Sequence, residues 1–269
     1  MAALPDPAAL IAPVSAIARR AAAAILEVYA RDDAGATRKA DDSPLTQADL
    51  ASHHLIVEAL QRLTPDIPVL SEESAAVAVE ERLRWPRCWL VDPLDGTKEF
   101  LARNGEFTIN IALIAGHQPV LGVVGVPVRD VVYAGAPGAG ATRSDGGGPP
   151  RRIATRPSPD RPRVVGSRSH RGRSLDALLE RLGPHELVAV GSALKFCIVA
   201  EGQADFYPRL GPTSEWDTAA AHAVLVAAGG AVVTLRGEPL TYNARPDLLN
   251  PSFLAYGDPT RAWRAVLPP

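Results

Sequence analysis

Cysteine is scarce in this chain. Its 269 residues include only Cys88 and Cys197. That is too few for a disulfide framework, so a reducing compartment is the default. Each sits in an apolar run (CWLVDP, KFCIVA) without metal-ligand spacing, and both read as small buried hydrophobes. A dominant charge is lacking as well. Lys and Arg number 28 against 30 Asp and Glu, a net charge of −2. No strong global field therefore draws the protein to nucleic acid or to an anionic membrane, and any preference for phosphate must come from a local site. No apolar run reaches the roughly 18 residues expected of a membrane span. The Ala-rich start is a poor signal peptide, because Asp6 and two prolines precede its apolar part and Arg19 and Arg20 interrupt it.

What is present is a hydrophobic share of 46%, enough for one large domain or two closely packed lobes. Residues 8 to 30 read as an amphipathic helix, and RDDAGATRKADDSPL as a loop or irregular hairpin. Thr46 with Asp49 three residues on marks a helix start, and Pro65 and Pro68 end that helix. PVLSEE and RCWLVDP read as strands. FTINIALIAG, PVLGVVGVPV and DVVYAGAP follow so closely that an antiparallel meander is expected. GAGATRSDGGGPP is the stretch richest in turn formers, with RSDGGGPPRR expected as a surface turn and a soft boundary near residue 150. Beyond it, RVVGSR, HELVAVGS, AVVTL and SFLAYG read as strands. SLDALLERLG, SALKFCIVAEG and WDTAAAHAVLVAAGG read as helices, the first stopped by Gly183.

The sharpest chemical signal is Asp92-Pro93-Leu94-Asp95-Gly96-Thr97. The strand CWLV delivers two carboxylates to one turn, and carboxylates so spaced suit hard cations, which prefer oxygen ligands. Pro93 stiffens the turn and Gly96 lets backbone approach a ligand closely. A helix starting at Gly96 would aim free N–H groups at the same spot, which suits a phosphate. Taken alone, a D-x-x-D-G turn is more often a helix cap. Ser71-Glu72-Glu73 by itself reads as a solvated turn. Asp217 in EWDTAAAHAV and Asp49 in its first helical turn by themselves read as caps.

Together they say more. KADDSPLTQAD (Lys39 to Asp49), LSEE, WLVDPLDGTKEF and EWDTAA occur in the order and approximate spacing of the inositol-monophosphatase superfamily, and the chain resembles it over nearly its whole length. The resemblance implies an α+β, layered αβαβα fold, residues 1–269 forming a single domain. Its sub-lobes are about 1–150, carrying most metal ligands, and 151–269, carrying substrate contacts and Asp217. It also implies a site with two or three Mg²⁺ ions and sensitivity to lithium. By that resemblance Glu72, Asp92, Asp95 and Asp217 match metal-binding carboxylates, and the Leu94 carbonyl a further ligand. Asp49 and Thr97 match a pair that orients the attacking water, and Gly96 and Thr97 match contacts to the scissile phosphate. The chemistry is coherent. A phosphate monoester repels hydroxide, and bound metals neutralise that charge, acidify a water and stabilise the leaving alkoxide. A covalent aspartyl-phosphate would use a different motif and fold.

Several stretches resemble the bisphosphate-nucleotidase branch in particular: KADDSPLTQAD, NGEFTINIALI, SRSH, GSALKFCIVAEGQADFYPR and GPTSEWDTAA. Ser192, Lys195 and Arg209 match contacts to the second phosphate or ribose side, and His170 lies in the matching SRSH. A bisphosphorylated nucleotide needs a cationic contact away from the metals, and Arg and Lys suit it. From spacing alone these residues read as a snorkelling lysine, a surface ion pair and a loop histidine. One departure from the branch is Ala221, where a glycine often precedes the residue matching His222. The implied reaction is hydrolysis of 3'-phosphoadenosine 5'-phosphate to AMP, with 3'-phosphoadenylyl sulfate as a further substrate, in sulfur metabolism. The implied place is the cytoplasm, with peripheral association on the cytoplasmic side of the inner membrane left open, as is the oligomeric state. A small-molecule nucleotide is the expected partner, and no nucleic acid. Two rivals stand beside this reading. A broader inositol or sugar monophosphatase would differ in substrate preference. A catalytically silent ligand-binding relative would lack a metal carboxylate, and none is missing here.

Overall fold

The computed structural model describes residues 6–31, 35, 37–38, 44–74, 77–167 and 173–267. Helix α1 (Pro7–Tyr29) starts where Asp6 accepts the Ala8 N–H and Pro7 takes the first turn, a place where its missing N–H costs little. Strands β1 (Thr37–Arg38) and β2 (Pro44–Leu45) pair antiparallel within the stretch read as a loop or irregular hairpin. Helix α2 (Gln47–Leu63) begins at a capping box made by Thr46 and Asp49. Strand β3 (Val69–Ser71), a 3-10 turn at Glu72–Ser74 and α3 (Val79–Arg82) lead to β4 (Arg87–Asp95) and α4 (Thr97–Leu101). The meander follows as β5 (Thr108–Ala115), β6 (Gln118–Val126), β7 (Val131–Ala136), β8 (Gly140–Asp145) and β9 (Arg151–Ile153). Then come β10 (Arg163–Ser167), α5 (Arg173–Leu182), β11 (Glu186–Val190), α6 (Leu194–Ala200) and β12 (Phe206–Arg209). Helix α7 (Glu215–Ala227), β13 (Ala231–Thr234) and β14 (Phe253–Tyr256) complete the pattern.

The strands form a seven-stranded sheet, β3 to β9 in chain order, and a five-stranded sheet in the order β11-β10-β12-β14-β13. β3 pairs with β4 in parallel, and from β4 onward the first sheet is antiparallel. The period-2 alternation of strands divides its side chains between two cores. Trp89, Val91, Ile109, Ile111 and Leu113 face α1 and α2, while Leu90, Ala112 and Ile114 face α6 and α7. The second sheet closes that same inner core through Tyr207, Val232 and Phe253. Its outer face, with Val164, Phe206 and Leu254, packs on Leu175, Leu178 and Leu179 of α5. The layers are thus helix, sheet, helix, sheet, helix. Helix α7 lies hard against the first sheet: a Cβ on Gly122 would stand 1.9 Å from the Ala220 carbonyl oxygen, and one on Gly135 3.0 Å from the Val224 Cα. These glycines pair across β6 and β7 and make the groove in which α7 rests.

Two expectations need correction. The turn-rich run contains β8, and β9 follows directly on it; turns occupy only the parts of the run before Gly140 and after Asp145. β8 lies between β7 and the edge strand β9, and its side chains are mostly half-buried, so polar and glycine residues are tolerated there. Among the described residues one helix, α1, is long and apolar enough to cross a membrane by length and composition, with a mean hydropathy of 1.6. Its alanines raise that average despite Arg19 and Arg20. In the fold, Val14, Ile17, Ala18, Ala21 and Ile25 of α1 are buried against α2 and the sheet.

Candidate active site

Strand β4 ends in the site. Its register against β5 shifts between Asp92 and Asp95, and this bulge takes Pro93 and Leu94 out of the regular ladder. Bulges re-aim side chains in this way. The Ser52 hydroxyl of α2 donates to the Pro93 carbonyl at 2.8 Å and the Leu94 N–H donates to Asp92 Oδ1 at 3.0 Å, so the turn is braced from both sides. Gly96 then adopts φ 93°, and α4 starts at Thr97. A Cβ at Gly96 would stand 3.2 Å from Glu99 Oε2, in a backbone conformation unfavourable to other residues.

Glu72, Asp95 and Asp217 line one cavity of about 290 Å³ together with Gly96, Thr97, Ser192, Lys195 and Arg209. Asp92 is buried beside them. Burial pushes the Asp92 carboxyl well above the usual carboxylate range, and the charges of Glu72, Asp95 and Asp217 push it further. Burial likewise raises Asp95, against the opposing pull of Lys195 and of the Ala193 N–H. Asp217 is raised by burial and then by the charge of Asp95. Mutual repulsion of this kind marks a site short of positive charge.

Each of three carboxylates has one oxygen committed. Asp95 Oδ2 accepts from the Ala193 N–H at 2.6 Å, Thr108 Oγ1 at 3.3 Å and Asn110 Nδ2 at 3.4 Å. Asp217 Oδ2 accepts from Thr213 Oγ1 at 2.7 Å and the Ser214 N–H at 2.9 Å, and Asp92 Oδ1 holds Leu94. No hydrogen bond among the described residues reaches the other oxygen of each. Among the described residues no three His, Cys, Asp or Glu side chains are already gathered as a finished metal cluster. The donor set nevertheless fits a hard divalent cation: carboxylate oxygens, one left over per residue, in a place where anionic charge is uncompensated. Asp217 is the third residue of α7, in a capping box with Ser214, so the helix-start role and a place at the cavity coexist in one side chain.

Asp49 and Thr97 are brought together across 48 positions of sequence. Thr97 Oγ1 donates to Asp49 Oδ1 at 3.4 Å, while Asp49 Oδ2 accepts from the Thr46 N–H and hydroxyl at 2.8 and 2.5 Å. Asp49 is thereby held as an acceptor, and a Thr97 hydroxyl that donates to it keeps lone pairs for a further donor.

The cationic side comes from α6 and from the second sheet. Lys195 is buried. Burial pushes its ammonium down to about 8, although Asp95 opposes the shift. Its Nζ donates to the Ser192 carbonyl and lies 5.6 Å from the Tyr207 ring centre. Arg209, at the end of β12, donates to the Pro212 carbonyl. Its Nε and the Ser192 hydroxyl are buried with no hydrogen-bond partner among the described residues. Unmet groups such as these are costly unless a ligand meets them. Ser192 also holds a left-handed φ of 45°, strain that costs roughly 1–3 kcal/mol and gathers at binding sites. His170 lies outside the described residues.

Tyr207, Thr213, Lys98 and Glu99 also line the cavity, and the sequence reading did not name them. Tyr207 had a signal: it precedes Arg209 by two on a strand and so shares its face. Thr213 had none, because its role depends on the turn into α7.

Comparison with known proteins bears on this site. Residues 6–260 match the inositol monophosphatase family. The 3'(2'),5'-bisphosphate nucleotidase CysQ of Salmonella typhimurium is 52% identical over 247 residues, covering 91% of this chain and 98% of that protein. CysQ of Escherichia coli K12 is 51% identical over 241 residues, covering 89% and 96%. The crystal structure of CysQ from Bacteroides thetaiotaomicron, described as a bacterial member of the inositol monophosphatase family, matches with a TM-score of 0.81 at 40% identity, covering 93% and 97%.

Proposed function

Because the chain belongs to the inositol monophosphatase family and has its layered α+β fold, we propose that it is a magnesium-dependent 3'(2'),5'-bisphosphate nucleotidase. Its reaction is hydrolysis of 3'-phosphoadenosine 5'-phosphate to AMP and phosphate. The observation that carries this reading is a single cavity lined both by Glu72, Asp95 and Asp217 and by Lys195 and Arg209. A substrate with one phosphate to cleave and a second to hold fits such a division. 3'-Phosphoadenylyl sulfate falls within the reading, since its sulfated end lies away from the cleaved bond.

In this scheme Glu72, Asp92, Asp95, Asp217 and the Leu94 carbonyl would hold two or three Mg²⁺ ions. Magnesium at that place supplies charge neutralisation and an acidified water. The chain's own residues do the rest. Thr97, fixed by Asp49, accepts a hydrogen bond from the attacking water and orients it toward phosphorus. Gly96 lets the backbone approach the phosphate, and Thr97 contacts it. The water oxygen bonds to phosphorus as the bond from phosphorus to the 3' oxygen breaks, and the 3' oxygen takes up a proton. Arg209, Lys195 and Ser192 hold the 5'-phosphate, so that its binding energy orients the reacting end. Cys88 and Cys197 are both free and buried, which suits the cytoplasm, where we place the enzyme.

The test is phosphate release from 3'-phosphoadenosine 5'-phosphate and from inositol 1-phosphate, each with Mg²⁺ and with chelator. The expected result is Mg²⁺-dependent turnover with a higher kcat/KM for the bisphosphate. A preference for inositol 1-phosphate would make the protein a general monophosphatase, and turnover unaffected by chelator would remove the metal scheme.

A further inference from the structure

Three consecutive residues before α6 are held through their backbones by side chains, two of them from distant parts of the chain and one from α6 itself. The Gly191 N–H donates to Glu106 Oε2 at 2.8 Å. The Ser192 carbonyl accepts from Lys195 Nζ, and the Ala193 N–H donates to Asp95 Oδ2 at 2.6 Å. Between these staples Ser192 keeps its left-handed φ of 45°, with its hydroxyl buried and unpartnered among the described residues. Asp95 and Lys195 line the cavity, and Glu106 does not. Glu106 reaches the cavity through the loop that it holds.

Its surroundings are built for that. A Cβ on Gly191 would stand 2.8 Å from the Glu106 carbonyl oxygen and 2.9 Å from Glu99 Cγ, so the loop is seated directly on the segment that carries Glu106. Two residues further on, β5 begins, and its Thr108 and Asn110 reach Asp95 Oδ2 at 3.3 and 3.4 Å. One short stretch, residues 106 to 110, thus grips both the carboxylate turn and the loop that bears Ser192 and anchors Lys195.

We infer that Glu106 is a positioning residue for substrate specificity: it keeps the 191–193 loop strained so that Ser192 and Lys195 face the phosphate that is not cleaved. This rests on the nucleotidase reading of the cavity. Without the Glu106 carboxylate the Gly191 N–H loses its acceptor and Ser192 relaxes toward negative φ. The carbonyl that anchors the Lys195 ammonium then moves with it. The Ala193 N–H stays on Asp95 Oδ2, which Thr108 and Asn110 also hold, so chemistry on a monophosphate stays intact.

The experiment compares wild type, Glu106→Ala and Glu106→Gln on 3'-phosphoadenosine 5'-phosphate and inositol 1-phosphate at saturating Mg²⁺, with hydrogen–deuterium exchange of the peptide spanning 190–195. In Glu106→Ala, KM for the bisphosphate should rise about tenfold or more, as expected for loss of a hydrogen bond to a charged group. Its kcat on inositol 1-phosphate should stay within about twofold, and amide exchange in the loop should speed up. Glu106→Gln keeps an acceptor and should restore most of the affinity. If Glu106→Ala fails to fold, Glu106→Asp, one methylene short of the Gly191 N–H, should give the same pattern. Equal losses on both substrates, or faster loop exchange with an unchanged KM, overturn the inference. A wild type that does not prefer the bisphosphate overturns the nucleotidase reading instead, and the loop exchange then decides alone whether Glu106 holds the loop.

Discussion

Arg209→Ala separates the two halves of the proposed site. The guanidinium leaves β12 at its last residue, where Arg209 pairs with Phe253. It has a buried Nε without a partner among the described residues, and another of its nitrogens donates to the Pro212 carbonyl. The Nε is thus desolvated, one donor waiting for a ligand, while the side chain as a whole is half-buried. A hydrogen bond to a charged group contributes roughly 1.5–3 kcal/mol, so truncation should lower kcat/KM on 3'-phosphoadenosine 5'-phosphate by about 10- to 150-fold. Inositol 1-phosphate has no second anion and should lose about threefold at most by the same reasoning. A complication is that the Pro212 contact goes too, and Pro212 adjoins Thr213, which holds Asp217 at 2.7 Å. Arg209→Lys resolves it: charge stays while the planar fork is lost, so an intermediate loss confined to the bisphosphate is expected. The assay is steady-state phosphate release for both substrates in all three proteins, with thermal melts alongside. Equal losses on both substrates would refute the reasoning and make Arg209 a support for the turn into α7. No loss on either would make it a bystander.

Asp95→Asn should reduce turnover on both substrates by several orders of magnitude, on the order of several kcal/mol of barrier, with the melting temperature preserved; near wild-type kcat at saturating Mg²⁺ would contradict its assignment. Lithium should inhibit at concentrations where sodium does not, because it has about the size of Mg²⁺ with half the charge; a flat lithium series at fixed Mg²⁺ would count against the site. Gly122→Val should destabilise the fold by about 3 kcal/mol or more, since its Cβ would stand 1.9 Å from the Ala220 carbonyl oxygen; an unchanged urea midpoint would show that α7 can retreat. His222 is pushed down to about 3 by burial from the ordinary 6.5 and bonds the Tyr242 hydroxyl at 2.9 Å. It stays neutral in the fold but takes a proton in the unfolded chain below pH 6.5, so its contribution is present above that pH and lost as pH falls toward 3. Melts from pH 7 to 4 should fall more steeply in wild type than in His222→Gln, and parallel curves would refute this.

Much of the fold was legible in local pattern. The meander from β5 through β7 showed in close-set β-rich runs, the α2 start in Thr46 and Asp49, and the stop of α5 in Gly183, which takes φ 78°. Each depends on residues a few positions apart, where propensity and period act directly. The β8 and β9 strands were missed because local composition favoured a turn, and the pairing of β8 with β7 and of β9 with β8 overrode it.

The sequence by itself determined which groups are available: the Asp92 and Asp95 pair on one turn, Glu72 after a strand, Asp217 in the first turn of α7, and the cations Lys195 and Arg209. Only the tertiary structure decided what they face. The Ala193 N–H meets Asp95 across 98 positions, Gly191 meets Glu106 across 85, and Thr97 meets Asp49 across 48. The Ala193 and Gly191 contacts arise because α7 is pressed between two sheets into the groove of Gly122 and Gly135, and the Thr97 contact because α2 packs on β4 from the other face. That packing carries the loop before α6 onto the end of β4. The strain at Ser192 and the unmet donors of Ser192 and Arg209 belong to that closure. They exist only once both sheets share a core, and no window of sequence contains both partners.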